Sequence, residues 1–242
     1  MDRTLILPIN RVATMPRRFF KALFPATLFL IASGRISGQT DALRPDQASG
    51  LHPAANRIVF FGDSLTAGYG LSDPDREAYP ALIQKRIDAA GLPWRVVNAG
   101  LSGETTAGGL RRVNWILRQP VGIFVLALGA NDGLRGLPPP LIESNLRAII
   151  ARVRAARPNA KILLAGMRLP TNFGEDYIRQ FAAVFPAVSR AENLQLIPFL
   201  LEGVGGHPDL NQADAIHPTA AGDALIANTV WLALRPLLTA GN

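Results

Sequence analysis

The sequence contains no cysteine and only three histidines among its 242 residues. The absence of cysteine excludes disulfide bonds, a thiol nucleophile and thiolate metal sites. It leaves the compartment open, because a chain without cysteine is stable in oxidising and in reducing surroundings. The histidines, His52, His207 and His217, are dispersed and form no ligand cluster. The sequence therefore argues against a metallohydrolase and predicts neither a metal nor another cofactor.

Charged residues are also sparse, at 18% of the chain, and the net charge of +7 is unevenly distributed. Up to residue 34 there are five basic residues and one acidic residue, so more than half of the net charge lies in that segment. The other basic residues are scattered and form no stripe interleaved with aromatic residues. This distribution predicts no nucleic-acid partner.

Residues 1–34 are typical of a secretion signal. Residues 17–21 (RRFFK) form a basic region, and residues 22–32 (ALFPATLFLIA) form an apolar run that is short for a membrane span. Residues 32–34 (ASG) are a small-x-small cleavage site. We therefore predict a signal peptide over 1–34 and a periplasmic or secreted protein. The alternative is a disordered or membrane-associated tail.

The rest of the chain divides into a linker and one domain. Residues 35–56 are rich in glycine, proline, serine, aspartate and glutamine and lack periodicity, which predicts a linker. The length and composition of 57–242 suit a single folded domain.

Five short apolar runs alternate with amphipathic helical patterns in this domain. The runs are almost continuously apolar, which is typical of strands buried on both faces of a parallel sheet. The alternation predicts an α/β fold of three layers, α/β/α, around a five-stranded parallel sheet. The predicted strands are 58–61, 95–97, 123–128, 161–165 and 194–198, and the predicted helices cover about 77–90, 106–118, 142–153, 176–191 and 220–238.

Polar and glycine-rich segments follow the first three predicted strands, at 62–70, 98–109 and 129–136. In open parallel sheets, ligands bind beyond the carboxyl ends of the strands. All three segments open onto that edge, so we expect the functional site there.

Ser64 follows a buried strand directly and is flanked by small residues, which makes it a candidate nucleophile. Thr66 stands where a Gly-x-Ser-x-Gly elbow would have its second glycine, so the α/β-hydrolase fold is disfavoured. The neighbouring Asp63 is predicted to hold the loop and to take no part in catalysis.

His217 is the best-equipped candidate base, because Asp214 precedes it by three residues. On a turn, Asp214 can accept a hydrogen bond from Nδ1–H of His217 and leave Nε2 to take a proton. The spacing alone is equally compatible with a helix-entry turn that has Pro218 at the first helical position.

Gly103 and Asn131 are candidate donors to an oxyanion. An attacking serine creates a negatively charged tetrahedral oxygen that needs preorganised donors. The backbone N–H of Gly103 and the side-chain amide of Asn131 can supply them. Each residue taken singly also suits a structural role, as a turn glycine or in an Asx turn.

Taken together, four segments occur in the order and spacing of one family. The chain resembles the SGNH, or GDSL-type, hydrolases over about 57–238. Three further segments resemble the branch of bacterial periplasmic multifunctional thioesterases, lysophospholipases and arylesterases. The four family segments are 62–65 (GDSL), 98–103 (NAGLSG), 129–132 (GAND) and 214–217 (DAIH), and the three further ones are 131–136 (NDGLRG), 167–170 (MRLP) and 197–199 (IPF).

The resemblance implies a flavodoxin-like sheet and a role for each matching residue. Ser64 would be the nucleophile, His217 the general base and then acid, and Asp214 the residue that orients His217. The backbone N–H groups of Ser64 and Gly103 and the side-chain amide of Asn131 would form the oxyanion hole.

The predicted function is that of a secreted serine esterase that hydrolyses small-molecule acyl esters or thioesters through an acyl-enzyme on Ser64, as an arylesterase, acyl-CoA thioesterase or lysophospholipase does. We expect transient lipid contact and no stable protein partner. Apolar residues near the predicted site favour a fatty-acyl or aryl substrate over a sugar. The alternatives are a carbohydrate acetylesterase of the same fold and a non-catalytic flavodoxin-like binding module. The presence of a base and its orienting carboxylate argues against the binding module. The apolar residues are Leu134, Leu137, Leu169 and Phe173.

Overall fold

A computed structural model describes residues 56–239 of the chain. The predicted signal peptide over 1–34 and the linker over 35–56, except for Asn56, lie outside the described residues and stay predictions. The first strand begins at Arg57.

Five parallel strands form one central sheet in the order β2-β1-β3-β4-β5. This is the strand order of flavodoxin-like folds, in which the chain reverses direction across the sheet between β1 and β3. The predicted three-layer α/β architecture with five parallel strands is therefore confirmed. The strands are β1 (Arg57–Gly62), β2 (Arg95–Gly100), β3 (Ile123–Ala127), β4 (Lys161–Ala165) and β5 (Gln195–Ile197).

Helices cover both faces of the sheet. Helices α3 and α8 pack together on one face, and α6 packs against α4 and α7 on the other. None of the helices in the described part of the chain is both long enough and apolar enough to cross a membrane. The helices are α1 (Ser64–Ala67), α2 (Pro74–Glu77), α3 (Tyr79–Ala89), α4 (Thr106–Ile116), α5 (Ala130–Leu134), α6 (Pro139–Ala156), α7 (Glu175–Ala191) and α8 (Ala220–Thr239), with 3₁₀ turns at Thr171–Phe173 and Pro208–Leu210.

Two expectations from the sequence differ from the structure. β2 lies at the edge of the sheet and is largely exposed, whereas all residues of the central β3 are buried. The helix predicted over about 77–90 is interrupted at Ala78, so that α2 and α3 are separate. Pro80 explains the interruption, because it has no N–H for the carbonyl of Arg76 and its ring would clash with that carbonyl.

Asp223 joins α8 to the start of α3. Its side chain is buried and accepts a hydrogen bond of 2.8 Å from the backbone N–H of Tyr79. Burial raises the pKa of Asp223 to about 7, and the nearby Glu77 acts in the same direction.

Replacing Asp223 by asparagine should change stability in a pH-dependent way. Because its pKa is raised, the folded protein binds this proton more tightly than the unfolded chain, so the contribution of Asp223 to stability is lost as the pH rises from about 4 to about 7. Asparagine keeps an acceptor for Tyr79 and does not ionise. We expect Asp223→Asn to be more stable than the wild type by about 1–3 kcal/mol at pH 8 but not at pH 4. Urea unfolding at both pH values measures this, and an equal difference at both would contradict it.

Candidate active site

Ser64 lies at the carboxyl end of β1, as the first residue of α1. Gly62 allows the tight exit from the strand, since a Cβ there would lie 2.0 Å from Oγ1 of Thr66 and 2.9 Å from the carbonyl oxygen of Ala127. Asp63 caps α1 by accepting a hydrogen bond of 3.0 Å from the backbone N–H of Leu65. These contacts hold the serine at the edge of the sheet where the sequence predicts the site.

A chain of hydrogen bonds connects Ser64, His217 and Asp214. Oγ of Ser64 lies 2.9 Å from Nε2 of His217, and Nδ1 of His217 lies 2.6 Å from Oδ2 of Asp214. The structure therefore brings together the three residues that the sequence predicts as nucleophile, base and orienting acid. His207 is exposed in a separate turn, and His52 lies outside the described residues.

The turn around Asp214 explains how its carboxylate reaches the imidazole. Oδ1 accepts hydrogen bonds from the backbone N–H groups of Ile216 at 2.9 Å and His217 at 3.0 Å, while Oδ2 remains for the ring. Ala215 adopts a φ of 57°, an uncommon conformation for a residue with a Cβ. Burial alone would raise the pKa of Asp214, but its hydrogen bonds with His217 and Ile216 outweigh that effect and hold the pKa at about 2. Asp214 is therefore ionised at neutral pH.

Gln212 and Tyr69 hold the loop of His217 against the loop that follows Ser64. Nε2 of Gln212 donates to the carbonyl of Tyr69 at 2.7 Å and to that of Pro218 at 2.9 Å. The ring of Tyr69 packs on the imidazole of His217, with 4.6 Å between ring centroids. Gln212 and Tyr69 were not identifiable from the sequence, because no sequence motif relates them to each other or to His217.

Asn131 lies in α5, directly after β3, and faces Asp63. Its Nδ2 donates a hydrogen bond of 3.3 Å to Oδ2 of Asp63, the residue before Ser64. Asp63 is fully buried. Burial raises the pKa of Asp63 to about 7, although hydrogen bonds from Leu65 and Asn131 and the proximity of His217 favour its ionised form.

Gly103 lies in the loop after β2, with a φ of 77° that favours glycine. Its carbonyl accepts a hydrogen bond of 3.1 Å from Arg135, which follows the last residue of α5. The loop of Gly103 is thereby attached to the helix that carries Asn131. Gly103 is not the cap of α4, because Thr105 caps that helix with its side chain.

Buried polar contacts also hold the loop after β2 and the helix α5 in place. Asp132 accepts hydrogen bonds from the backbone N–H of Thr106 at 2.8 Å and from its hydroxyl at 2.6 Å, which joins the start of α4 to α5. Nε of Arg112 donates to Glu104 at 2.8 Å, and the same guanidinium donates to the carbonyl of Ala99 at 2.9 Å. Asp132 could have been identified from the sequence, because it belongs to the same segment, 129–132 (GAND), as Asn131. No sequence pattern relates Glu104 to Arg112.

Known proteins resemble this chain in sequence and in fold. Residues 60–225 match the model of the GDSL-like lipase/acylhydrolase family. The chain belongs to this family. The predicted GDSL-type serine ester hydrolase is thereby confirmed.

Two curated relatives and one solved structure show the extent of the similarity. The chain is 43% identical over 186 residues to esterase TesA of Pseudomonas aeruginosa, in an alignment that covers 76% of this chain and 90% of that protein. It is 39% identical over 186 residues to thioesterase 1/protease 1/lysophospholipase L1 of Escherichia coli K12, with coverage of 76% and 86%. A crystal structure of TesA superposes with a TM-score of 0.71 at 43% identity, and the alignment covers 75% of this chain and 99% of that one.

In this GDSL-like hydrolase, the segment after β4 lies against α5, the helix that carries Asn131. A Cβ on Gly133 in α5 would lie 2.7 Å from Leu169, so the segment after β4 packs directly against this helix. The hydroxyl of Tyr177 donates to the carbonyl of Leu137 at 2.7 Å and holds the chain that leaves α5. The four apolar residues identified from the sequence, Leu134, Leu137, Leu169 and Phe173, are all half-buried.

Proposed function

We propose that this hydrolase cleaves acyl esters and thioesters through an acyl-enzyme on Ser64. The continuous hydrogen-bonded chain from Ser64 through His217 to Asp214, with distances of 2.9 Å and 2.6 Å, carries the proposal. An ionised Asp214 holds the proton of His217 on Nδ1 and leaves Nε2 free to accept the serine proton.

In the first half of the reaction, Oγ of Ser64 attacks the acyl carbonyl carbon while Nε2 of His217 takes the hydroxyl proton. The carbonyl oxygen becomes a tetrahedral oxyanion. When this intermediate collapses, the C–O or C–S bond to the leaving group breaks, and His217 returns the proton to the departing alcohol or thiol.

In the second half, water replaces the leaving group. The oxygen of the water attacks the acyl carbon while Nε2 of His217 takes a proton from the water. The bond between the acyl carbon and Oγ of Ser64 then breaks, His217 returns the proton to Ser64, and the carboxylic acid leaves. Both halves use His217 as the base, and the reaction consumes only the substrate and one water molecule.

Three donors would stabilise the oxyanion in each half. Ser64 begins α1, and the first N–H groups of a helix have no partner within it. The N–H of Gly103 lies in the loop after β2, and Arg135 attaches this loop to α5, the helix that carries the side-chain amide of Asn131. Loss of one such donor typically lowers the rate by about 10²–10³-fold.

We propose a fatty-acyl or aryl group as the acyl part of the substrate. Four half-buried apolar residues in the segments after β3 and β4 support this proposal, because apolar surface binds hydrocarbon better than sugar hydroxyls. They are Leu134, Leu137, Leu169 and Phe173. A relative named thioesterase and lysophospholipase supports thioesters and lipid esters. Exposed apolar side chains near Ser64 and His217 would support transient contact with a lipid. They are Tyr69, Leu101 and Ile216.

We also propose that the protein is exported to the periplasm or secreted. The support is the basic region, apolar run and cleavage site within residues 17–34.

A substrate panel tests the proposed function. We expect kcat/KM for medium-chain p-nitrophenyl esters and acyl-CoA thioesters to exceed that for acetylated sugars by at least about tenfold, because each methylene in an apolar site contributes to discrimination. The reverse order would favour the carbohydrate acetylesterase. Absence of hydrolysis of every ester and thioester would overturn the proposal.

A further inference from the structure

Asp63 is fully buried beside Ser64, yet no step of the proposed reaction uses it. Its Oδ1 caps α1 through Leu65, and its Oδ2 accepts from Nδ2 of Asn131 at 3.3 Å. Serine, threonine or asparagine would cap a helix about as well as aspartate without burying a carboxylate. The contact that distinguishes aspartate at this position is therefore the one with Asn131.

A side-chain amide has two orientations, which exchange its oxygen and its NH₂ group. Above its pKa of about 7, Asp63 is ionised. An ionised carboxylate only accepts hydrogen bonds, so its Oδ2 attracts the NH₂ group of Asn131 and repels its oxygen. One N–H is used by this bond, and the second N–H remains for another acceptor. In the opposite orientation, the amide would present a carbonyl oxygen where negative charge develops.

We propose that Asp63 is a positioning residue that fixes the orientation of the Asn131 amide, so that an N–H faces the oxyanion. This inference rests on the proposed function, in which Asn131 is an oxyanion donor. Its rival is a direct effect of the Asp63 charge on the nearby His217, and the two differ in whether Asp63 needs Asn131 in order to act.

A double-mutant cycle separates them. In Asp63→Asn, the amide oxygen still caps α1, but the NH₂ group then faces the NH₂ group of Asn131 and favours the wrong orientation. At pH 8, where Asp63 is ionised, we expect kcat for a p-nitrophenyl ester to fall about 10²-fold with little change in KM, and Asn131→Ala to lower kcat by about 10²–10³-fold. The double variant should be within about threefold of Asn131→Ala, because residues that act as a unit are not additive.

Multiplicative losses in the double variant would overturn the proposal, since Asp63 would then act without Asn131. Asp63→Ser is the second variant should Asp63→Asn not fold, because serine caps α1 but is too short to reach Asn131. It should show a smaller loss of kcat, because it removes the preferred orientation of Asn131 without reversing it, and the same lack of additivity. Asp223→Asn is the matched control, as it alters another buried carboxylate that accepts a backbone N–H, and its kcat should stay within about threefold of the wild type.

Titration of the wild type with a fluorophosphonate distinguishes failure of this inference from failure of the proposed function. If Ser64 is labelled and the cycle is multiplicative, only the positioning role of Asp63 is wrong. If Ser64 of the active enzyme is not labelled, the proposed function is wrong, and the inference falls with it.

Discussion

Replacement of Ser64 by alanine is expected to lower kcat for p-nitrophenyl esters by at least about 10⁴-fold, because no acyl-enzyme can form without Oγ. Any remaining rate would come from substrate binding and the oxyanion donors acting on water. The thermal melting temperature should change little. The substitution removes a single atom, and Asp63 still caps α1.

The measurements are steady-state kinetics, a thermal melt and mass spectrometry after treatment with a fluorophosphonate. The wild type should carry one label, on the peptide that contains Ser64, and Ser64→Ala should carry none. Ser72→Ala is the matched control, because Ser72 is exposed in the turn before α2 and takes no part in the proposed chemistry. Full activity of Ser64→Ala, or a label on another residue, would refute the role of Ser64.

Asp214→Asn should lower kcat by about 10³-fold. An asparagine can present its NH₂ group to Nδ1 of His217, which favours the tautomer with the proton on Nε2 and removes the base. Where the aspartate of such a triad is buried, the loss is about 10⁴-fold. The side chain of Asp214 is 39% exposed, so water can partly replace it and the loss should be smaller.

Kinetics near neutral pH measure this effect, because the pKa of about 2 keeps wild-type Asp214 ionised there. Asp209→Asn is the control, as Asp209 lies exposed in the neighbouring 3₁₀ turn and should have activity within about threefold of the wild type. Asp214→Asn with more than about a tenth of wild-type activity would show that Asp214 does not orient His217.

Much of the fold was predictable because each parallel strand carries its own apolar signal. The runs that became β1, β3 and β4 lie within a residue of their predicted bounds, since helices cover both faces of these central strands. Helices α1, α2 and α5 were not predicted, because four or five residues are too few to show a helical period. The exposure of β2 was also not predictable, because strand order, which places it at the edge, is a property of the whole sheet.

The active site also has features that were predictable from the sequence and features that were not. Ser64, His217 and Asp214 were identifiable because their chemistry depends on residue type and on short spacings that a sequence preserves. The contacts of Asp63 with Asn131 and of Tyr69 with His217 could not be identified from the sequence, because they join residues far apart in the chain. Asp63 itself was predicted only to hold its loop, and its position against Asn131 gives it a proposed part in the reaction.

The sequence by itself determined the class of fold, the family and the residue types available for catalysis, since apolar periodicity and local motifs are written into neighbouring residues. Only the tertiary structure decided that Oγ of Ser64 lies 2.9 Å from Nε2 of His217, across a separation of 153 residues. That distance depends on the packing of β1 within the sheet and on the turn that Asp214 and Gln212 hold in place. Local sequence cannot encode it, because it results from contacts that form only when the whole domain has folded.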